Sequence, residues 1–417
     1  MSQVTSWRPS RTMLLLILAT IILSITSGLR QSFGLFMAPM AAIGITAVAF
    51  SFAAALQSLV WGLSQPVIGM LADRFGTRPV LAGSALVLAA GLAIAGTAEG
   101  PLVLHLGGGL LVGIGVAGTG LGVVLGTVSR AVAPERRSQA VGAVAALGSL
   151  GTMVLAPLGQ GLIDGYGWRV AFFAFAGIAA VMVLFALPMK EGAPRDAGSP
   201  TAEDKQPLGE VLRVAFTHPG YLAMTAAFFA CGFQLMFINV HLPSYLALCG
   251  LAPSLGAAAL GLIGLCNTFG TYAAGLLGAR YSQKRLLALV YLLRTIAIIA
   301  FLAVPASPTS VLVFAAAMGF LWLTVAPLVS GLVGKVFGLK HFGALYGFVF
   351  LSHQVGSFCG VMLGGFVFDL TGNYGAAWAG LIAIGLLAFA LQWPMDDRTP
   401  AERARRDDAA LAAAKPA

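Results

Sequence analysis

The sequence predicts an all-α integral membrane protein in which twelve transmembrane helices form two pseudo-symmetric bundles of six. Three observations carry that prediction: an oily composition, about twelve apolar stretches of membrane-crossing length, and a charged glycine turn that occurs twice. Of the 417 residues, 59% are hydrophobic and only 9% charged, with a mean hydropathy of +0.91. A soluble domain carries roughly 25% charged residues, so this chain cannot cover itself with a water-exposed surface. The bilayer is its solvent, and roughly 20 apolar residues cross the hydrocarbon core.

Taken in order, the first stretch, 13–38, follows Arg8 and Arg11 and has the layout of a secretory leader. It is too long for one and runs straight into further spans, so it reads as an uncleaved helix. Stretches 47–71 and 79–98 flank the turn Gly69-Met-Leu-Ala-Asp-Arg-Phe-Gly-Thr-Arg78. The fourth, 101–126, places Gly109 and Gly113, then Gly118, Gly122 and Gly126, at four-residue spacing. Small residues so spaced let helix backbones approach closely in lipid. Stretches 138–162 and 169–188 complete the first half. Residues 189–219 are polar, with Pro194, Pro200 and Pro207 among mixed charges, and read as a linker. Within it Leu208, Val211, Leu212, Ala215 and Phe216 recur at helical spacing, as in a helix lying on the membrane surface. The second half repeats the plan with 220–247, 254–278, 286–304, 309–334, 343–368 and 375–394. The expected units are therefore a bundle at 1–188, the linker at 189–219, a second bundle at 220–395 and a tail at 396–417.

The halves are copies. Gly69, Leu71 and Arg74 return 206 residues later as Gly275, Leu277 and Arg280. A shift of 205 places Gly142 on Gly347, Gly151 on Gly356, Gly159 on Gly364, Asp164 on Asp369 and Gly167 on Gly372. Parallel repeats of six spans are a transporter architecture, with the site near the midplane between halves. The copies have diverged, for Ala279 stands where the first turn has Asp73.

The formal net charge of +9 does not signal nucleic acid. With the N-terminus in the cytoplasm, all of the 24 Lys and Arg fall on that side except Arg169, outside, and Arg30 and Arg294, within spans. That is the positive-inside pattern, with both termini cytoplasmic in a bacterial-type inner membrane. Cys231, Cys249, Cys266 and Cys359 lie in or beside apolar helices without CxxC spacing and read as packing residues.

Residues 69–78 resemble the signature between helices 2 and 3 of the major facilitator superfamily, with Thr77 replacing a basic residue often seen there. The resemblance covers almost the whole chain and implies the major facilitator fold. It also implies a cytoplasmic charge lock of Asp73 with Arg74 and Arg78 that holds the outward-facing state. A carboxylate beside guanidinium groups forms charge-assisted bonds that break and re-form with conformation. The passages Gly148-Ser-Leu-Gly151, Ala156-Pro157-Leu158 and Gly167-Trp168-Arg169, and His353-Gln354-Val-Gly356-Ser357-Phe358 with Asp369 and Tyr374, resemble bacterial monocarboxylate and oxalate/formate-type porters. Arg30 falls where monocarboxylate transporters carry a cationic residue. Asn267 and Thr271 occupy positions where those transporters often pair an acid or amide with an arginine, and here that arginine is absent.

Ionisable residues inside a membrane are expensive and point to function. Arg30, just past the middle of the first span, has no acid in its own helix and suits a bidentate carboxylate; the competing reading is a structural arginine on neighbouring carbonyls. Arg294, about 14 Å along its helix from Lys284 and Arg285, reads as structural. No Asp or Glu occupies a midplane position, which leaves His353 as the central group able to carry a coupling proton. Gln57, Gln234, Asn239, Asn267 and Gln354 are the midspan amides. The expected function is a secondary transporter of a small organic anion, a monocarboxylate, with Arg30, Gln234, Asn267, His353 and Gln354 toward substrate. Efflux of drugs or other amphipaths is the alternative. There is no HExxH, no plausible Ser/His/Asp set and no glycine-rich nucleotide loop, so no enzyme, cofactor or metal is expected. The anticipated partners are the anion, the bilayer and a coupling proton, with no nucleic acid, and the chain is expected to act as a monomer.

Overall fold

A computed structural model describes residues 11–189, 208–337 and 342–400, with 402, 403 and 405. Among the described residues, twelve helices are long and apolar enough to cross a membrane. In chain order they are α1 (Arg11–Ala41), α2 (Ala47–Phe75), α3 (Thr77–Gly96), α4 (Pro101–Ala131), α5 (Gln139–Tyr166), α6 (Trp168–Ala186), α7 (Pro219–Leu248), α8 (Pro253–Arg280), α9 (Gln283–Leu302), α10 (Pro308–Phe337), α11 (Phe342–Thr371) and α12 (Gly375–Gln392). The anticipated surface helix is present at Leu208–Thr217, with Val211 and Ala215 buried against the second half. Most of the expected linker and tail lies outside the described residues.

Two apolar cores form, one for each run of six helices. The first also takes in Met236, Val240 and Val361 of the second half, and the second takes in Leu35 and Ala156 of the first. Large apolar side chains such as Leu63, Leu184 and Val313 remain more than half exposed. In a membrane these face lipid, where exposure costs nothing.

The repeated glycines divide by physical role. Gly167 and Gly372 end α5 and α11 with φ of 84° and 70°, a conformation open to glycine and strained for other residues. Gly151 and Gly356 permit close approach: a Cβ would stand 1.7 Å from the Ser24 carbonyl oxygen of α1 and 2.0 Å from that of Phe229 in α7, respectively. The same pairing, α5 on α1 and α11 on α7, thus recurs in both halves. Gly69, Gly142, Gly275 and Gly347 are different, for among the described residues no atom comes within 4 Å of where their Cβ would stand.

That last group shows how the halves meet. Across the seam α11 lies along α2, α8 along α5, and α7 against α1. The contacts run from the midplane to the face opposite the basic loops: Gly62 on Gln354, Gly264 on Thr152, Gly34 on the Asn239 carbonyl and Gly365 on Ser51. Gly69, Gly142, Gly275 and Gly347 continue the seam-facing stripes of α2, α5, α8 and α11 toward the basic face, by helical spacing. There they meet open space. The seam is sealed on the far face and open toward the face bearing Arg74, Arg130, Arg280 and Lys335.

Candidate functional site

The midplane of the seam holds Arg30. Its helix approaches α5 so closely at Gly28 that a Cβ there would stand 2.6 Å from the Gly151 carbonyl oxygen. Two residues on, about 200° around the helix, the Arg30 side chain points away from α5. Just beyond it α1 tightens into a 3-10 turn at Phe33–Phe36, and Ser32 donates its hydroxyl to the Gly28 carbonyl at 2.7 Å.

Arg30 meets both halves. Its guanidinium carbon lies 4.9 Å from the ring centre of Trp61 on α2, and Nη1 reaches the Met236 sulfur on α7 at 3.1 Å. An indole face and a thioether are weak, neutral partners. Among the described residues no carboxylate pairs with Arg30, although the residue is only half-buried. Trp61 is held in turn: its indole N–H donates to Gln65 Oε1 at 2.9 Å, and its ring meets Phe350 of α11 edge-on at 5.2 Å.

Phe350 leads to His353, with which it stacks at 6.2 Å and an interplanar angle of 3°. Gln354, buried beside it, donates Nε2 to the Ser58 carbonyl of α2 at 2.9 Å. Its Oε1 then accepts from His353 Nδ1 at 3.0 Å. With the amide in that orientation the His353 proton sits on Nδ1 and Nε2 keeps its lone pair. Arg30, Trp61, Met236, Phe350, His353 and Gln354 therefore form one contiguous midplane layer in which Arg30 carries the permanent charge.

Two residues expected at the site lie elsewhere. Gln234 donates to the Leu381 carbonyl of α12 at 3.0 Å and sits against Gly385, turned into the second bundle and away from Arg30. Asn267 is fully engaged by protein. Its Nδ2 donates to Ser149 Oγ of α5 at 2.7 Å, and Oδ1 accepts from Leu323 N at 2.9 Å and Thr271 Oγ1 at 3.0 Å. The Asn267 amide thus ties α8, α10 and the other half together.

Arg294 is fully buried. Its Nε and Nη2 donate to the Leu321 carbonyl at 3.0 and 2.5 Å, Nη2 also reaches the Trp322 carbonyl, and Nη1 meets Cys231 Sγ at 3.2 Å. These carbonyls belong to a break in α10 between Phe320 and Val325. Pro327, lacking an N–H and crowding the carbonyl four residues back, accounts for the break.

At the basic face the Asp73 carboxylate lies 3.5 Å from Arg130 at the end of α4, both exposed. Among the described residues no ion pair to Arg74 or Arg78 forms; Arg74 lies over the Phe75 ring. Arg130 also donates to Thr77 at 3.1 Å, and Thr77, fully buried, shares a 2.8 Å bond with Thr127. Of the expected lock residues, Asp73 and Arg74 are therefore engaged within their own half here, in the conformation whose basic face is open. The C-terminal segment docks on the second half, with Asp397 held below the usual carboxylate range: burial pushes it up, but bonds from Lys335 at 2.6 Å and Lys284 at 3.0 Å outweigh that. Sequence reasoning missed Trp61, Met236 and Arg130. Only the i, i+4 pairing of Trp61 with Gln65 offered a signal.

Among the described residues, twelve helices in two copies, a seam sealed on one face, and one arginine facing it at mid-depth define a carrier-type membrane transporter. The chain belongs to the Major Facilitator Superfamily, whose model matches residues 12–320 and 250–416. It is 27% identical over 356 residues to monocarboxylate transporter 13 of Bos taurus, covering 84% of this chain and 81% of that protein. It is 26% identical over 362 residues to the uncharacterized MFS-type transporter YhjX of Escherichia coli (strain K12), covering 84% and 87%. In three dimensions it resembles a bacterial homolog of the human lysosomal transporter Spinster in an inward-facing and unoccupied conformation, with a TM-score of 0.75 at 15% identity, over 94% of this chain and 100% of that one.

Proposed function

We propose that this transporter carries a singly charged small organic anion, a monocarboxylate, and that Arg30 binds its carboxylate. The observation that carries the reading is the pairing of Arg30: a guanidinium at the seam whose contacts are an indole face and a thioether. A planar carboxylate accepts two parallel N–H bonds from such a group and supplies the missing counter-charge. The other intramembrane arginine, Arg294, has its donors spent on main-chain oxygens and a thiol. Among the described residues one intramembrane cation is left to weak neutral contacts, which favours one negative charge on the cargo and disfavours dicarboxylates. The names of relatives such as monocarboxylate transporter 13 support the same class.

His353 and Gln354 complete the proposed site, with His353 as the group that takes a coupling proton. With the basic face in the cytoplasm, as the positive-inside distribution favours, the conformation described here is the inward-open one. Asp73, Arg74 and Arg78 then work as the lock of the opposite state. The test is uptake into proteoliposomes of a series of mono- and dicarboxylates by the native protein and by Arg30→Ala. Saturable monocarboxylate uptake that weakens at least tenfold in KM is expected. Unchanged affinity in the variant would remove Arg30 from the site. Transport of amphipathic cations without any carboxylate would replace the anion reading with drug efflux.

A further inference from the structure

The far face of the seam contains a contact that its repeat partner lacks. We infer that Asp369 is a one-sided latch: its carboxylate fastens α11 of one half to the amino end of α2 of the other, and opening the far face requires its release. Asp369 Oδ1 accepts the Ala47 N–H at 3.2 Å and Oδ2 accepts the Val48 N–H at 2.9 Å. These are the first two residues of α2, whose N–H groups have no partner within the helix. Thr46 caps the next one, accepting from Ala49 N at 3.2 Å. One half thus supplies the cap that the other half's helix needs.

Electrostatics favours the pair in both directions. Asp369 lies in the last turn of α11, where the helix dipole presents negative charge and a carboxylate is disfavoured. The positive end of α2 offsets that, and the bonds are charge-assisted. Below the latch the helices are in close contact: a Cβ on Gly365 would stand 2.5 Å from Ser51 Oγ and 3.0 Å from the Ala47 carbonyl oxygen. His241 of α7 joins the same region, bonding the Val361 carbonyl at 2.9 Å and lying 3.5 Å from Ser51 Oγ. When the seam parts, the carboxylate and both N–H groups can be hydrated at the membrane surface, so the latch can release and re-form.

The repeat makes the one-sidedness testable. The shift of 205 that relates α5 to α11 carries Asp369 back to Asp164, and the shift of 206 that relates α2 to α8 carries Ala47 and Val48 forward to Pro253 and Ser254. Pro253 is the first residue of α8 and has no N–H to donate. Asp164 instead accepts from Gln160 of its own helix at 2.8 Å and is exposed. The α5–α8 seam therefore keeps the acid but loses one of the two donors, and among the described residues its acid bonds within its own helix. The α2–α11 seam has the acid and both donors in contact.

The inference rests on the halves rocking about the seam and not on the identity of the cargo. Its test uses the full chain in nanodiscs, without substrate, with spin labels on encoded keto amino acids at Glu99 and Val304. These exposed positions lie on far-face turns of opposite halves. Asp369→Ala is expected to raise the ratio of far-face-open to closed molecules about threefold to thirtyfold, the range for a charge at a helix end. Ala47→Pro, which deletes one donor where Thr46 already has the extended backbone (ψ 160°) that a following proline requires, is expected to shift the ratio the same way by less. Asp164→Ala is expected to leave it unchanged. An unchanged distance distribution in both Asp369→Ala and Ala47→Pro overturns the latch, and an equal shift in Asp164→Ala overturns its one-sidedness. Monocarboxylate uptake measured separately keeps a failure here distinct from a failure of the Arg30 reading.

Discussion

Arg30 and Arg294 are the same side chain within a span of each half, and neither has a carboxylate among the described residues. Arg294 is fully buried and spans the break in α10, bonding the main-chain oxygens of Leu321 and Trp322. Arg30 is half-buried, faces the seam, and rests on an aromatic ring and a thioether. The difference teaches that a cation inside a membrane is not by itself a binding site. What matters is whether the protein has already supplied acceptors. A guanidinium that replaces lost helix hydrogen bonds is part of the fold; one left with weak neutral contacts is free to bind cargo.

The largest effect expected is on Arg294. Arg294→Ala leaves the Leu321 and Trp322 carbonyls without their donor, at about 1–3 kcal/mol for each buried unsatisfied group. Thermal unfolding in detergent, followed by tryptophan fluorescence, should show the steepest loss of stability of any single substitution discussed here. Arg294→Lys should recover only part, because an ammonium cannot fork across two carbonyls as the planar guanidinium does. A stable Arg294→Ala that loses only transport would reverse the comparison and place Arg294 at the substrate.

Arg30→Ala should do the opposite. Its native contacts are weak and neutral, so the change in unfolding free energy should stay within about 2 kcal/mol. Anion binding should weaken by about 1.5–3 kcal/mol, the range for a charge-assisted bond. The guanidinium stays protonated at every physiological pH, so the affinity lost in Arg30→Ala should be the same at pH 5.5 and pH 7.5. A pH slope that survives in Arg30→Ala belongs to another group, and His353→Gln is the variant that checks it.

The fold was legible in the sequence because lipid imposes length and because glycine constraints repeat. The repeat pairs Gly167 with Gly372 and Gly151 with Gly356, and the structure gives each pair one role, a helix-ending turn for the first and an equivalent helix contact for the second. The direction of each midspan amide was not legible. A helix apolar on every side has no polar stripe to set its rotation, and α7 is of this kind, so Gln234 carried no sign that it turns to α12. Asn267 finds its partner Ser149 118 residues away, in the other half. His241, near the end of the 220–247 stretch, is fully buried in the far-face seam. Arg130 lies 57 residues from Asp73, and the local turn displayed nearer arginines in its place.

Trp61 offers the smallest and most discriminating test of the comparison. If Arg30 is held ready by the ring beneath it, Trp61→Leu removes a cation–π contact worth about 0.5–2 kcal/mol and lets the guanidinium wander. The KM for the anion should rise about twofold to thirtyfold with little change in the maximal rate. Trp61→Phe keeps a ring face but loses the N–H that bonds Gln65, and should fall between Trp61→Leu and the native protein. The decisive measurement is the double variant. In an Arg30→Ala background the tryptophan has no cation left to position, so Trp61→Leu should add nothing further to KM. An additive loss there would mean that the indole touches the cargo directly, and the site would then consist of an aromatic wall and a cation acting independently.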